Sequence, residues 1–204
     1  AKKCKFIIVP GNHDPISAGS VYASKRFPDN VYIFKDSKLS RFEFPELGVD
    51  VYGWGFTSPS MTENPLVGAE IEQNGRTKLL CAHCDTRSPI SPYCPVSEGD
   101  IVRCGFDYAA LGHVHHPAAR EDRGRAVIRY CGFAEGRSFD ELGEGGVLLV
   151  TLTEGEEPRI ERKILSQKRY AIEELDLSFS PDESAMRSAI EQSLQNALEK
   201  GVTH

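Results

Sequence analysis

Long apolar runs are missing from this chain of 204 residues: the longest is the short stretch around Val147 and Val150, far below a membrane span. No export signal is expected either. Lys2, Lys3 and Lys5 precede an apolar stretch, but Phe6-Ile-Ile-Val9 stops at Pro10, as a strand does and the long core of a leader does not. A cytoplasmic location without membrane attachment is therefore expected. Strong positive charge is also absent. The net charge of −6 does not announce a nucleic-acid binder, although a basic stripe or a bound ion can dominate one site. Internal repeats and low-complexity tracts are lacking too, which excludes solenoids and disordered linkers.

What is there suits a globular protein: 40% hydrophobic and 26% charged residues, at a length that buries a core without covalent staples. Six cysteines, at positions 4, 81, 84, 94, 104 and 131, are expected to be reduced thiols. Cys81-Ala-His-Cys84 has the spacing of a redox pair. It follows Lys78-Leu-Leu80, which reads as a strand, whereas a redox pair needs a helix N-terminus.

Short apolar or alternating runs predict strands over residues 5–9, 31–34, 41–44, 49–52, 78–82, 107–111, 126–131, 146–152 and 159–165. Residues 170–177 alternate and predict a further strand. Short helices are expected within residues 15–25 and 96–104. Ser180-Pro-Asp-Glu183 predicts a capped helix start with Ser180 as the cap. Met186, Ile190, Leu194 and Leu198 then fall on one apolar face, and Gly201 is the expected stop.

Three segments carry chemistry, each directly after an apolar strand: Gly11-Asn-His-Asp14, the isolated His83, and Gly112-His-Val-His115. Imidazole nitrogen is the commonest transition-metal ligand, and an amide oxygen suits harder cations. Strand-like alternation would point His113 and His115 apart, so a tight turn at Gly112 is expected to aim both rings into one cavity. His116 and His204 read as ordinary surface residues.

The two glycine-led motifs, their order and the spacing to His83 resemble the calcineurin-like metallophosphoesterases. Ser91-Pro-Tyr93, Gly105-Phe-Asp-Tyr-Ala-Ala-Leu-Gly-His113 and Gly136-Arg-Ser-Phe-Asp-Glu-Leu-Gly143 are similar to the SbcD-type and YhaO-type DNA-repair exonuclease branch. The resemblance covers roughly residues 7–177 and implies an α/β (α+β) fold: a two-sheet β-sandwich flanked by helices. It implies a metallophosphoesterase core over residues 1–167 and the start of a capping domain or C-terminal appendage over 168–204. Its implied activity is metal-dependent phosphodiester hydrolysis as a nuclease subunit in DNA repair. The alternatives are hydrolysis of a small phosphate ester, and a non-catalytic remnant holding at most one metal.

By the same resemblance Asn12, His83 and His113 would bind one divalent metal and His115 a second. Manganese is the first choice, with iron, zinc and magnesium as alternatives. His13 would stand beside the scissile phosphate and Asp14 would orient its ring. DNA is the implied partner, with an SMC-like ATPase subunit and a homodimer as further ones; Arg120, Arg123 and Arg125 are candidate DNA contacts. The family also carries Asp-x-His and Gly-Asp-x-x-Asp motifs upstream of Gly-Asn-His-Asp. Neither is found here, and only residues 1–10 precede Gly11. The expectation is an N-terminally truncated chain, inactive alone, lacking the carboxylate that bridges the two metals.

Overall fold

The computed structural model describes residues 4–116 and 127–203. The chain divides into two compact units, one of Ala1–Cys131 with Leu152–Pro158, the other of Gly132–Thr151 with Arg159–His204. The candidate arginines Arg120, Arg123 and Arg125 lie outside the described residues.

The first unit holds two sheets. β1 (Phe6–Ile8) and β2 (Val31–Ile33) form a parallel pair. β3 (Ser40–Phe44), β4 (Val49–Gly53), β5 (Thr77–His83), β6 (Tyr108–Gly112) and β7 (Val127–Tyr130) form a five-stranded sheet in that order. β3 runs antiparallel to β4; the other neighbours are parallel. The mixed α/β class is as expected.

Burial on both faces explains the near-continuous apolar runs of the parallel strands. On one face Trp54, Phe56, Leu66, Leu80, Ile101, Phe106 and Leu111 are shut off from solvent. On the other, Phe34, Phe44 and Val51 pack with Ile7, Val9 and Tyr32 from the β1–β2 side and with Leu79 and Cys81 of β5, so residues of both sheets meet. Edge-on ring contacts tie the two sheets: Tyr32 lies 4.9 Å from Phe44 and 5.3 Å from Phe42, centroid to centroid.

Helices are short. α1 (Val21–Ser24) is a single turn. α2 (Glu98–Cys104) starts with a reciprocal capping box, Ser97 Oγ accepting from Asp100 N–H and the Asp100 carboxylate from Ser97 N–H, and buries Ile101 and Cys104.

Between β4 and β5 lies a buried charge network. Asp50, fully buried, accepts from Arg76 Nη1 at 2.8 Å and from Asn74 Nδ2 at 2.7 Å. Lys78, its register partner on β5, is 3% exposed and donates to Arg76 O and Asn74 Oδ1. Burial alone would push the Asp50 carboxyl up; the hydrogen bonds from Asn74 and Arg76 outweigh it and hold the carboxyl below its ordinary value.

The second unit contains the antiparallel pair β8 (Gly146–Thr151) and β9 (Arg159–Ile164), and α3 (Glu183–Glu199). The buried Glu141 carboxylate accepts from the Arg137 backbone N–H at 2.9 Å and from its guanidinium at 2.7 Å. Residues 170–177 form no strand: Tyr170 makes one isolated bridge to Leu142, and Ile172 is 63% exposed. Alternation marks a stretch that can line a sheet, but a strand also needs an edge to bond along its length. The cap of α3 is Asp182, not Ser180, its carboxylate accepting from Ala185 N–H at 2.8 Å. Asp caps as well as Ser, and Pro181 stays outside the helix. At the far end Gly201, at φ +80°, donates to Leu198 O while Val202 donates to Ala197 O, a paired stop only a left-handed residue permits.

Candidate metal centre

Parallel pairing decides where the histidines stand. His83 ends β5 and is the register partner of Gly112, which ends β6. The carboxyl ends of two adjacent parallel strands therefore release His83 and His113 side by side, the usual location of sites in such sheets. The third segment arrives from β1. Phe34 N–H bonds to Ile8 O and Phe56 N–H to Pro10 O at 3.0 Å, which sets the Gly11 turn against the continuation of β4.

The segments meet on His83. Its Nε2 lies 2.7 Å from Asn12 Oδ1, across 71 residues of sequence. With the amide oxygen there, His83 donates from Nε2–H. Its ring stands edge-on to His113 at 5.2 Å between centroids and to Phe56 at 5.2 Å. A Cβ built on Gly11 would come within 2.7 Å of the His83 ring, and one on Gly112 within 3.2 Å of Nδ1. A side chain at Gly11 would force the ring to shift, and one at Gly112 would press on it more lightly. Asn12 is buried, His113 and His115 are half-buried, and His13 is exposed.

The expected tight turn at Gly112 takes another form. Gly112 stays in the strand, and the unusual backbone falls on His113 itself, at φ +105°. A non-glycine residue there costs on the order of 1–3 kcal/mol and persists only where its surroundings hold it. Tyr93, whose ring lies 5.1 Å from that of His113, is one of those surroundings.

Burial first, then the neighbouring His113, pushes the His83 imidazole down to about 4. Burial likewise lowers His113, partly offset by the Asp85 carboxylate. The charges of His13 and His115 reach both rings. At neutral pH His83 is uncharged, the state a metal requires of an imidazole.

Asp14 accepts from Gly11 N–H through Oδ1 at 2.8 Å and from the Tyr22 hydroxyl through Oδ2. Burial, then this bond, raises the Tyr22 phenol to about 12. The carboxylate therefore staples the turn that presents Asn12 and His13 to helix α1. Nothing in the sequence singled out Tyr22, Asp85 or Arg87 as neighbours of the site, because isolated residues in loops carry no periodic signal. The cysteines of the redox-like spacing are free thiols raised by burial, Cys81 to about 11 and Cys84 well above its ordinary value, the reverse of an activated thiol.

An ion fits this donor set in part. Cis ligands about 2.1 Å from an octahedral ion lie about 3 Å apart, close to the Asn12–His83 spacing. Binding through Nε2 would move the proton of His83 to Nδ1. Among the described residues no three His, Cys, Asp or Glu side chains close on one point. The described residues thus bring together an amide and two imidazoles, those of His83 and His113, that burial holds below their ordinary values.

Comparison with known proteins supports the metallophosphoesterase superfamily for this chain. It is 29% identical over 154 residues to the uncharacterized metallophosphoesterase YhaO of Bacillus subtilis (strain 168). The match covers 73% of this chain and 37% of that protein, so the chain spans little more than a third of the relative's length. No protein-family model matches. Among the described residues no helix is long and apolar enough to cross a membrane.

Proposed function

We propose that this chain carries part of a metal-dependent phosphodiesterase centre whose substrate is DNA. The observation that carries the proposal is the convergence of Asn12, His83 and His113, from three strand ends, on one set of neutral donors. The likeness to a metallophosphoesterase supports phosphoester hydrolysis as the reaction type. The DNA substrate rests on the exonuclease-like segments around Tyr93 and between Gly136 and Gly143.

In this reading Asn12, His83 and His113 hold one divalent ion and His115 a second, with manganese the first choice. Such ions supply the charge that grips a phosphate and acidifies water. The protein's own part is positional. The strand ends set the His83–His113 spacing, Phe56 and Tyr93 shield the rings, and Asp14 with Tyr22 holds the turn that offers Asn12. His13, exposed next to Asn12, is the group free to approach a leaving oxygen.

The test uses protein expressed from the complete reading frame. With manganese it is expected to degrade linear duplex DNA, and His13→Ala to lose at least about a hundredfold in rate. Hydrolysis of a chromogenic phosphodiester without any of DNA would move the reading to a small phosphate ester. Undiminished DNA cleavage by His13→Ala would refute the role of that residue. The described donors also suit a remnant holding a single ion weakly. Elemental analysis decides here: two tightly held ions per chain exclude the remnant.

A further inference from the structure

Arg87 follows His83 by four positions, in the loop that leaves β5. Its backbone N–H donates to Asp85 Oδ1 at 2.8 Å, which folds the loop back on itself. The loop rests on the core: the Tyr130 hydroxyl donates to Cys84 O at 3.0 Å and accepts from Thr86 N–H at 3.0 Å. The Arg87 guanidinium donates from Nη2 to His116 O at 3.2 Å, in the segment just after His113 and His115. One side chain therefore spans the two loops that present His83 and His113.

Arg87 is exposed, and among the described residues no carboxylate forms an ion pair with it. Its positive charge is felt at the His113 ring. A guanidinium offers five donors in a planar fork matched to phosphate oxygens. The His116 carbonyl takes one. In a chain of net charge −6, a cation with no carboxylate partner among the described residues, beside the His83 and His113 rings, counters the repulsion that an anionic ligand would otherwise meet.

We propose that Arg87 is a phosphate-binding residue of this site, its guanidinium held at the His116 carbonyl so that its remaining donors take a non-bridging oxygen of the phosphoester. The proposal rests on the phosphoester reading of the Asn12–His83–His113 cluster. It adds a residue that engages substrate directly and binds no metal.

Inorganic phosphate is the probe, titrated calorimetrically into the chain with and without manganese, after manganese affinity has been measured alone. Arg87→Gln is expected to weaken phosphate binding about tenfold or more. Arg87→Lys, which keeps the charge and loses the fork, falls between. Manganese affinity stays within about twofold of the parent in both, as expected for a residue that binds no metal. Arg103→Ala is the charge-matched control; that arginine pairs with Asp100 on α2, and its loss leaves phosphate binding unchanged. Parent-like phosphate affinity in Arg87→Gln overturns the proposal, and so does a parent that binds no phosphate in either state. If the parent takes up no manganese yet binds phosphate in an Arg87-dependent way, the metal reading falls and Arg87 stands.

Discussion

Asn12 Oδ1 and His83 Nε2 lie 2.7 Å apart, and this pair joins the turn after β1 to the end of β5. Replacing the amide by a carboxylate, Asn12→Asp, would set a negative charge against a ring that burial keeps neutral. The His83 pKa is expected to rise from about 4 by about 2 pH units. An NMR titration of the His83 Cε1–H resonance reads this directly. An unmoved titration would mean that the two side chains do not meet in solution.

Gly11→Ala is predicted to damage the site through space alone. Its Cβ would stand 2.7 Å from the His83 ring, and the ring is hemmed in by Phe56, His113 and Gly112. The expected cost is about 1–3 kcal/mol in urea unfolding, with weaker manganese binding. Gly112→Ala, meeting the same ring at 3.2 Å, should cost less. Equal stability of Gly11→Ala and the parent would show that the ring can move aside freely.

Stability should fall as pH drops from about 6.5 toward about 4. Over that window the unfolded chain protonates His83 while the folded chain, with the ring held at about 4, does not. Proton uptake then favours the unfolded state, and the contribution lost is on the order of 3 kcal/mol. Denaturant midpoints at stepped pH check the sign, and His83→Gln should flatten the slope. A chain that became more stable on acidification through this range would contradict the assignment.

At the other end of the strands, Asp50→Ala would take from Arg76 and Asn74 the carboxylate that both bond, beside the 3%-exposed Lys78, which donates to Asn74 Oδ1. Breaking a buried charge network from one side costs about 3 kcal/mol. Because Arg76 keeps access to water, that figure is nearer a ceiling, and Asp50→Asn should lose less. Guanidinium unfolding of the two variants gives the comparison. A loss below about 0.5 kcal/mol, the scale of an ordinary surface change, would deny the network any role in stability.

Tyr22→Phe removes the hydroxyl that α1 gives to Asp14. The Gly11 N–H bond remains, so the turn should loosen without unfolding. Faster amide exchange at residues 11–14, with a change of about 1 kcal/mol in global stability, is expected. Unchanged exchange would mean that the turn is held by its backbone alone.

Much of this was legible in advance. Strands running into His83, Gly112 and Gly11 could be read from the apolar runs over residues 78–82, 107–111 and 5–9, because burial on both faces demands them. The misread elements failed for a physical reason too. Residues 170–177 alternate, yet among the described residues no neighbouring backbone pairs with them as a strand beyond the bridge at Tyr170, and edge availability is not written in a single segment. Ser and Asp cap a helix start with nearly equal energy, so residue type alone does not choose between Ser180 and Asp182, and the backbone of α3 puts Asp182 at that position.

The chain itself determined that three donor-bearing segments leave the ends of apolar strands, since residue type and hydrophobic spacing act over a few residues. That those segments share a site was decided by the parallel register of β5 with β6 and by the packing of β1 and β2 over the sheet. The same packing turned His113 to φ +105° and laid Arg87 against His116. Contacts across 71 residues depend on hydrogen bonds between strands and on how two faces fill the space between them. Neither quantity belongs to any stretch of sequence taken alone.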